Sequence, residues 1–341
     1  MRTLILHPNN DYNCGDLLTY YGTKELLTRA VGGSQNLDVV QFDMIRAHDI
    51  EPETYIKEYQ WGKIDLIVLA GSPWLWNNCI RSKKYGLLID ALQRYKNAKA
   101  IGLGIGSCFS QPVYSDMYIK CPERYFKGKL DGVLKNRLKA IYNRFCYLLV
   151  RDMFAEYILK KCGIKCKFSY DTSIYAYHRL GIKKNIGNKK ILFFYHPGEG
   201  LSGQCLSFAI DDFIKYQLNW AKQNNADIYC NSVGEKVFLD NVGMKSTFSV
   251  DLEYLSEKFR EYDTMLSGRV HMAILGFLSG IPSITLLPVD TRFMTALKFG
   301  IKIKSIGKEW QYGKIQLNSK VWDDIKKCEQ DIIQDLRNAI K

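Results

Sequence analysis

Short apolar runs rich in β-branched residues alternate with longer amphipathic segments along most of the chain, and this alternation constrains the fold more than any other feature. It is typical of βαβ units, in which helices join parallel strands. The first half predicts strands at Thr3–His7, Asp38–Phe42, Ile64–Ala70, Ala100–Gly104, Tyr147–Val150 and Lys167–Tyr170. It predicts helices at Asp16–Ala30, Tyr85–Lys96, Leu130–Arg144 and Met153–Cys162. We therefore expect one complete doubly wound domain here.

The polar, glycine-containing segment IKKNIGNKK, residues 182–190, is typical of a linker, and the same rhythm restarts after it. The second half predicts strands at Ile191–Tyr195, Asp227–Asn231, Thr264–Leu266 and Ser283–Leu287. It predicts helices at Phe208–Gln223, Leu252–Tyr262, Val270–Leu278 and Lys320–Ile340. We expect an α/β fold with two Rossmann-like domains facing across a cleft, where ligands of open α/β sheets bind.

The predicted domain boundaries follow from this rhythm. The first domain spans 1–182, the linker 183–190 and the second domain 191–319, and the terminal helix at 320–341 is expected to pack back on the first domain. A chain of 341 residues has room for two cores, because single cores usually stop growing near about 250–300 residues.

Composition restricts the class of protein and the cellular compartment in which we expect it. The hydrophobic fraction of 47% and charged fraction of 24% are those of a globular protein. Neither a signal peptide nor an apolar run of spanning length is recognisable, so we expect a cytoplasmic protein. The ten cysteines include no CxxC pair, and the closest pair, Cys162 and Cys166, lacks further ligands. We expect reduced thiols, no metal and no cofactor.

The net charge of +13 is concentrated partly between Lys120 and Arg151. This segment is either a solvated helix face or a basic flank that contacts a phosphate-bearing substrate or acidic lipid headgroups at a membrane surface. No nucleic-acid-binding module accompanies the charge, so no specific nucleic acid is expected as a partner. The sequence leaves the oligomeric state open.

The first candidate ligand-binding turn contains Asn13, Gly15 and Asp16, after the first predicted strand. Gly15 permits a tight turn and close approach of a ligand to the backbone. Asp16 either acts on a hydroxyl group, as an acceptor or a base, or is the N-cap of the next helix, the more frequent role of Asp at such a position. Capping would not exclude ligand contact.

Two further turns also follow predicted strands. Gly71 and Ser72 precede Trp74 and Trp76, which are either packing residues or flat faces for a sugar. The triple Gly102-Gly104-Gly106 lacks the spacing and the acidic residue of a dinucleotide turn, so it indicates at most a backbone cradle for an anion. We retain Gly71, Ser72 and Gly104 as candidate substrate contacts.

The fourth turn is Ser267-Gly268-Arg269-Val270-His271, between a short strand and an apolar helix. A helix amino terminus favours an anion, and Arg269 adds a planar fork that pairs with carboxylate or phosphate. His271 can move a proton near neutral pH. Because a cation at a helix amino terminus needs a partner, Arg269 pairs either with a nearby acid or with a ligand anion.

Several of these segments belong to a set of short motifs in a fixed order along the chain. They are Asn13-x-Gly15-Asp16, Val150-Arg151-Asp152, Asp171, Ser267-Gly268-Arg269-Val270-His271 and Gly280-Ile281-Pro282-Ser283, followed by PVDTRFMTALKFGI at 288–301. Together they resemble the polysaccharide pyruvyl transferase family. Each motif alone is weakly specific, whereas the ordered set covers most of the chain.

The resemblance implies a GT-B-like transferase of cell-envelope glycan or exopolysaccharide biosynthesis. It would move the enolpyruvyl group of phosphoenolpyruvate to a hydroxyl of a sugar or lipid-linked glycan, form a pyruvate ketal and release phosphate. The resemblance places Arg269 and His271 near the donor, which makes the second domain the donor side and the first the acceptor side. We assign His271 as the acid or the partner of the leaving phosphate, Arg269 as the clamp on carboxylate or phosphate, and Asp16 as the residue that orients the acceptor hydroxyl. Arg292 is either a further anion contact or an exposed helix arginine, the more frequent case.

One departure leaves alternatives open. This chain has Ala70-Gly71-Ser72 where the family commonly has three glycines. A nucleotide-sugar-dependent GT-B glycosyltransferase and a non-catalytic binding protein of a glycan pathway therefore remain competing hypotheses. The first would bind a nucleoside diphosphate at the same helix terminus, and the second would bind a ligand or partner without turnover.

Overall fold

The computed structural model describes residues 1–7, 13–43, 62–76, 79–109, 121–127, 130–198, 210–288, 291–304 and 319–341. Parts of four sequence predictions lie outside these residues. They are residues 8–12 of the first turn, Lys120 and residues 128–129 of the basic segment, residues 208–209 of a predicted helix, and residues 289–290 of the segment that precedes Arg292.

The first sheet is entirely parallel and has the order β2-β1-β3-β5-β6-β7, with the short strand β4 paired to β5. Its strands are β1 Arg2–His7, β2 Asp38–Asp43, β3 Leu66–Ala70, β4 Pro73–Leu75, β5 Lys99–Ser107, β6 Phe145–Val150 and β7 Lys167–Phe168. All five residues of β3 are buried, as expected of a strand covered on both faces of a parallel sheet.

The second sheet is also parallel and has the order β10-β9-β8-β11-β12-β13. Its strands are β8 Lys190–Phe194, β9 Asp227–Cys230, β10 Ser246–Phe248, β11 Tyr262–Ser267, β12 Ser283–Leu286 and β13 Lys302–Ile303. Counted from β8, this is the 3-2-1-4-5-6 order of the Rossmann fold. The predicted α/β fold with two Rossmann-like domains is therefore confirmed.

The α-helices among the described residues connect or cover these strands. They are α1 Cys14–Ala30, α2 Lys83–Arg94, α3 Pro122–Phe126, α4 Gly132–Tyr142, α5 Met153–Lys161, α6 Tyr177–Leu180, α7 Ile210–Gln223, α8 Val233–Asn241, α9 Leu252–Phe259, α10 Val270–Leu278, α11 Met294–Leu297 and α12 Ser319–Ile340. A 3₁₀ helix at Thr172–Ala176 precedes α6. None of the helices in the described part of the chain is long and apolar enough to cross a membrane.

Several predicted bounds differ from the structure, and seven of the described strands and α-helices were not predicted. The helix predicted to end at Tyr262 ends at Phe259, because Tyr262 begins β11. The unpredicted elements are β4, α3, α6, α8, β10, α11 and β13, and all of them except α8 are too short to give a periodic signal. By contrast, α10 has the predicted bounds.

Side chains from both domains meet between the two sheets. The Thr291 hydroxyl accepts a hydrogen bond from the Phe109 N–H at 2.9 Å and lies 3.3 Å from the Ser107 hydroxyl. The Cys14 thiol donates to the Ser249 carbonyl at 3.2 Å. These contacts bring the carboxyl end of β5 and the start of α1 against the second domain.

The terminal helix α12 contacts residues of the first sheet's domain. Tyr170 donates to Asp324 at 2.5 Å, Tyr177 donates to Glu329 at 2.6 Å, and Lys167 pairs with Asp335 at 2.7 Å. Three polar contacts along one helix fix its register against that domain.

Candidate functional site

A cavity of about 270 Å³ lies where the carboxyl ends of the two sheets face each other. In each sheet the strand order reverses next to its first strand, at β1 and β3 and at β8 and β11, and such reversals are the usual ligand sites of open α/β sheets. Residues of both domains line the cavity: Asn13, Gly15, Asp16, Pro73, Arg151, His196, Pro197, Asn231, Gly268, Arg269, Val270, His271, Met272, Leu287, Arg292 and Phe293.

The first domain contributes the amino terminus of α1. Asn13 is the N-cap, since its side-chain oxygen accepts from the Gly15 N–H at 3.0 Å. The Asn13 amide also donates to the Asp16 carboxylate at 2.8 Å. The cap role considered for Asp16 thus belongs to Asn13, and Asp16 lies in the first helical turn with its half-buried side chain at the cavity.

Gly15 allows α1 and α10 to approach each other closely. A Cβ atom at this position would lie 2.8 Å from Nδ1 and 3.1 Å from Cβ of His271. Carbon atoms do not tolerate such distances, so any larger residue would displace the histidine ring or the helix. The glycine therefore serves the packing of His271.

His271 contacts three residues of the first domain through Nε2. This atom lies 3.0 Å from Arg151 Nη1, 3.4 Å from the Thr19 hydroxyl and 3.5 Å from the Asp171 carboxylate. Because a guanidinium only donates, Nε2 accepts from Arg151 when the ring is neutral, whereas the Nε2–H of a protonated ring faces the Asp171 carboxylate. The orientation of the histidine thus depends on residues outside its own domain.

Arg151 and Asp171 form a buried ion pair beneath His271. Their closest atoms are 2.6 Å apart, and both side chains are almost fully buried. Burial raises the pKa of the Asp171 carboxyl, but the charge of Arg151 and the contact with His271 outweigh it and hold the pKa below its ordinary value. Gly106 makes room for this pair, since a Cβ there would lie 2.3 Å from Arg151 Nε.

Arg269 is the N-cap residue of α10 and pairs with Glu235 of α8. The other oxygen of Glu235 accepts from the Asn231 N–H at 2.8 Å, which fixes the carboxylate. The buried Nε of Arg269 has no hydrogen-bond partner in the described part of the chain. Burial lowers the pKa of Arg269, which is nevertheless always charged at neutral pH. The sequence predicted that Arg269 pairs either with a nearby acid or with a ligand anion. In the structure it pairs with an acid, Glu235, and it also lines the cavity where a ligand would bind.

His196 and Arg292 complete the side of the cavity formed by the second domain. His196 follows β8, and its Nδ1 accepts from the Gly198 N–H at 2.9 Å. Burial, together with the nearby charges of Arg269 and Arg292, lowers the pKa of His196 well below its usual value. This histidine is therefore neutral at pH 7 and carries its proton on Nε2.

Four of the predicted contact residues do not line this cavity. Ser267 bridges the backbone of the turn, accepting from the Arg269 N–H at 3.0 Å and donating to the Arg269 carbonyl at 2.8 Å. Gly71 and Gly104 have positive φ angles of 53° and 72° and pack against Thr19 and Thr172. The remaining predicted residues, Asn13, Gly15, Asp16, Gly268, Arg269, His271 and Arg292, all line it.

Ser72, the fourth residue, has a φ of 64° and is held by a lysine. Lys84 of α2 donates to the Ser72 hydroxyl at 2.8 Å and to the Pro73 carbonyl at 2.9 Å, and its ammonium lies 4.2 Å from the centre of the Trp74 ring. Burial lowers the pKa of Lys84 to about 7, and Asp16 and Arg151 act on it with opposite signs. Trp74 is fully buried, so it is a packing residue.

Sequence reasoning did not select as site residues Arg151, His196 and Asn231, which line the cavity, or Asp171, which pairs with Arg151 beneath it. Arg151 and Asp171 were recognised only as parts of the motif set, and the only signal for His196 was its position after a predicted strand. Among the described residues, no group of three or more His, Cys, Asp or Glu side chains is arranged to hold a metal ion.

The sequence model described as polysaccharide pyruvyl transferase matches residues 13–288 of this chain. That range contains Asp16, Arg151, Asp171, Arg269 and His271. No curated protein matches the sequence.

Solved structures of related architecture include the S. aureus protein MnaA with UDP, 10% identical, covering 99% of this chain and 90% of that chain with a TM-score of 0.49. A Methanocaldococcus jannaschii UDP-GlcNAc 2-epimerase is 12% identical, covering 100% and 93% with a TM-score of 0.47. The E. coli heptosyltransferase WaaC is 10% identical, covering 98% and 99% with a TM-score of 0.39.

Proposed function

The chain belongs to the polysaccharide pyruvyl transferase family, and from this premise we propose that it transfers the enolpyruvyl group of phosphoenolpyruvate to a sugar hydroxyl of a glycan or glycolipid. The product is a pyruvate ketal on two hydroxyls, and phosphate is released. The observation that carries the proposal is that a carboxylate of the first domain, Asp16, lines the same cavity as Arg269 and His271 of the second domain.

The donor side of the cavity suits a ligand with two anionic groups. Phosphoenolpyruvate carries a phosphate and a carboxylate, and each is best bound by guanidinium groups and N–H donors. Arg269 and Arg292 both line the cavity from the second domain, and Arg269 retains an Nε–H without a partner among the described residues. Arg269 is the proposed clamp on carboxylate or phosphate, and Arg292 is the further anion contact.

In this reaction each of the two sugar hydroxyls loses its proton. One hydroxyl oxygen bonds to C2 of the enol while C3 takes a proton and becomes a methyl group. The C2–O bond to phosphate then breaks, the second hydroxyl oxygen bonds to C2, and the second proton leaves with phosphate. A positioned acid and a positioned base are therefore needed.

His271 is the proposed acid, at C3 or at the departing phosphate. Its ring is fixed by Arg151 and Thr19, and Asp171 lies close enough to stabilise the protonated ring electrostatically. Arg151 and Asp171 are then positioning residues for His271. Their burial supports a fixed geometry, since neither side chain has room to reorient.

Asp16 is the proposed base that orients the acceptor hydroxyl. Its carboxylate is held by the Asn13 amide and lies at the amino terminus of α1, where a negative charge is stabilised. Residues 1–182 then form the acceptor side and residues 191–319 the donor side. The proposal includes peripheral contact with an anionic membrane surface, because a lipid-linked acceptor presents its sugar there.

The deciding experiment is titration calorimetry with phosphoenolpyruvate, UDP and CMP, followed by phosphate release from phosphoenolpyruvate with hexosides and lipid-linked glycans. We expect phosphoenolpyruvate to bind, with the affinity lost in Arg269→Ala and kept in Lys222→Ala, which removes an exposed charge on another face. Acceptor-dependent phosphate release that disappears in His271→Ala would support the transfer.

Two outcomes would overturn the proposal. Tight binding of a nucleotide without binding of phosphoenolpyruvate would indicate a nucleotide-sugar glycosyltransferase instead. Binding of neither ligand class at the cavity would contradict the donor assignment outright.

A further inference from the structure

One helix of the first domain carries basic side chains that lack acidic partners. On α4, Lys135, Arg137 and Lys139 form no ion pair with any acid in the described part of the chain. Arg137 and Lys139 are exposed. Just after this helix, the exposed Arg144 donates to the backbone carbonyl of Lys96 at 2.9 Å and has no acidic partner among the residues that the structure describes.

Acidic and basic residues balance each other in the second domain, since residues 191–319 contain equal numbers of the two. In the second domain, Lys236 pairs with Asp240 at 2.7 Å, and Lys190 and Lys258 both pair with Glu261 at 3.1 and 3.2 Å. The net charge of +13 therefore concentrates on the first domain, and α4 presents part of it without compensation. The nearest acid on this helix, Asp131, serves as the N-cap and accepts from the Leu134 N–H at 2.6 Å.

An open, mostly aliphatic groove of about 510 Å³ lies beside these cations, between α2 and α4. Its lining comprises Ile80, Ile89, Leu92, Gln93, Arg137, Ala140, Ile141 and Arg144. At the amino end of α4, the side chain of Val133 is 64% exposed. The surface thus combines uncompensated positive charge with accessible aliphatic side chains.

We propose that this α2–α4 face docks on the surface of an anionic phospholipid bilayer. Basic side chains near such a surface are attracted to its headgroups, and apolar side chains enter the boundary between headgroups and acyl chains. The aliphatic lining favours lipid over nucleic acid, since single-stranded nucleic acid binds on exposed aromatic rings. This inference rests on the membrane contact included in the proposed function and assigns that contact to one face, and it does not depend on the identity of the donor.

The docking face and the cavity share helix α2. On its inner side, Tyr85 donates to the Trp74 carbonyl at 2.8 Å and lies 2.9 Å from the hydroxyl of Tyr142 on α4. The adjacent Lys84 holds Pro73, which lines the cavity. A bilayer on the outer side of α2 would therefore lie one helix away from a wall of the cavity.

The test is co-sedimentation of the full chain with phosphatidylcholine vesicles containing no anionic lipid or about 30% phosphatidylglycerol. We expect binding only to the anionic vesicles, weakened when salt is raised from about 50 to about 500 mM. The variant Arg137→Glu/Lys139→Glu should lower the partition coefficient by about tenfold or more. The matched control, Lys222→Glu/Lys245→Glu, makes the same charge change on exposed residues of the second domain and should leave binding intact.

Two further measurements distinguish a lipid bilayer from other ligands of the α2–α4 face. Val133→Ser, which adds no charge at an exposed position, should weaken vesicle binding, whereas unchanged binding would show that apolar side chains of this face do not enter the bilayer. If both double variants lost vesicle binding to the same extent, the docking surface would not lie on the α2–α4 face. Absence of binding to anionic vesicles, or binding of a single-stranded oligonucleotide through Arg137 and Lys139 in place of vesicles, would overturn the proposal.

Discussion

Nη1 of Arg151 lies 3.0 Å from Nε2 of His271, although the two residues follow strands of different sheets. Arg151 comes directly after β6 of the first domain, and His271 is the second residue of α10 in the second. The histidine side chain is thus oriented by a residue that its own domain does not supply. We conclude that the site is complete only when the two domains are in this arrangement, which makes its chemistry sensitive to any change that separates them.

The contact between α1 and α10 gives a direct test at Gly15. In Gly15→Ala, the added methyl group would lie 2.8 Å from Nδ1 of His271. Gly15 is helical and has no positive φ, so the expected effect comes from displacement of the histidine and not from backbone strain. We expect kcat to fall by about tenfold or more, since misplacement of about 1 Å is enough to cost that much.

Gly86→Ala is the matched control for this change. A Cβ at Gly86, in α2, would contact nothing within 4 Å. Replacing a helical glycine by alanine there should raise the free energy of unfolding by about 0.5–1 kcal/mol and leave kcat unchanged. If Gly15→Ala changed the free energy of unfolding and kcat as Gly86→Ala does, the close approach of His271 to Gly15 would not matter for catalysis.

The proposed acid is tested by His271→Ala compared with His271→Asn. Loss of a positioned acid typically lowers kcat by about 10² to 10⁴-fold. We expect both variants to lose that much in phosphate release, while the Kd for phosphoenolpyruvate in calorimetry changes far less, because Arg269 provides the anion contact. Wild-type rates in either variant would show that His271 does not transfer the proton.

The strands and the position of the site were predictable because their signals are local. Buried parallel strands require continuous apolar runs such as Leu66–Ala70, and a helix as apolar as Val270–Leu278 stands out from its surroundings. Turns at the carboxyl ends of parallel strands lie at one edge of a sheet, which is why Asn13, Asp16, Arg269 and His271 could be selected. The same reasoning was wrong for Gly71 and Ser72, which follow β3 but do not line the cavity.

The contacts that organise the site were not predictable, because they join residues far apart in the chain. Arg151 and His271 are separated by 120 positions, and no periodicity relates them. The same is true of Lys84, which reads as an exposed helix lysine but holds the turn at Ser72. The capping assignment failed for a local reason, since Asn13 and Asp16 are both good N-caps and only the backbone geometry distinguishes them.

Lys84 should make stability depend on alkaline pH. Burial lowers its pKa from 10.5 to about 7, so between these values the unfolded chain binds more protons than the folded chain. Stability from this residue therefore rises with pH across that window. In Lys84→Met the slope of the unfolding free energy between pH 7 and pH 10 should be lower than in the wild type, whereas Lys222→Met, at an exposed lysine, should retain it. Parallel curves for all three proteins would show that the Lys84 ammonium is not disfavoured by folding.

The buried pair of Arg151 and Asp171 predicts the behaviour of the protein in acid. Arg151 and His271 hold the pKa of Asp171 below its ordinary value, so the stabilisation is complete above about pH 4 and is lost as pH falls through the lower folded value. Arg151→Met leaves a buried carboxylate unpaired and should lower the free energy of unfolding at pH 7 by about 3–5 kcal/mol. Arg151→Met/Asp171→Asn removes both charges. Its loss in free energy of unfolding should therefore be smaller than the sum of the losses in the two single variants. Measuring turnover distinguishes an effect on folding from an effect on activity. The double variant should fold but lack the contact of Arg151 with His271, so its kcat should stay low even where its stability recovers. Full recovery of both would mean that the pair is structural and that His271 finds its orientation without it.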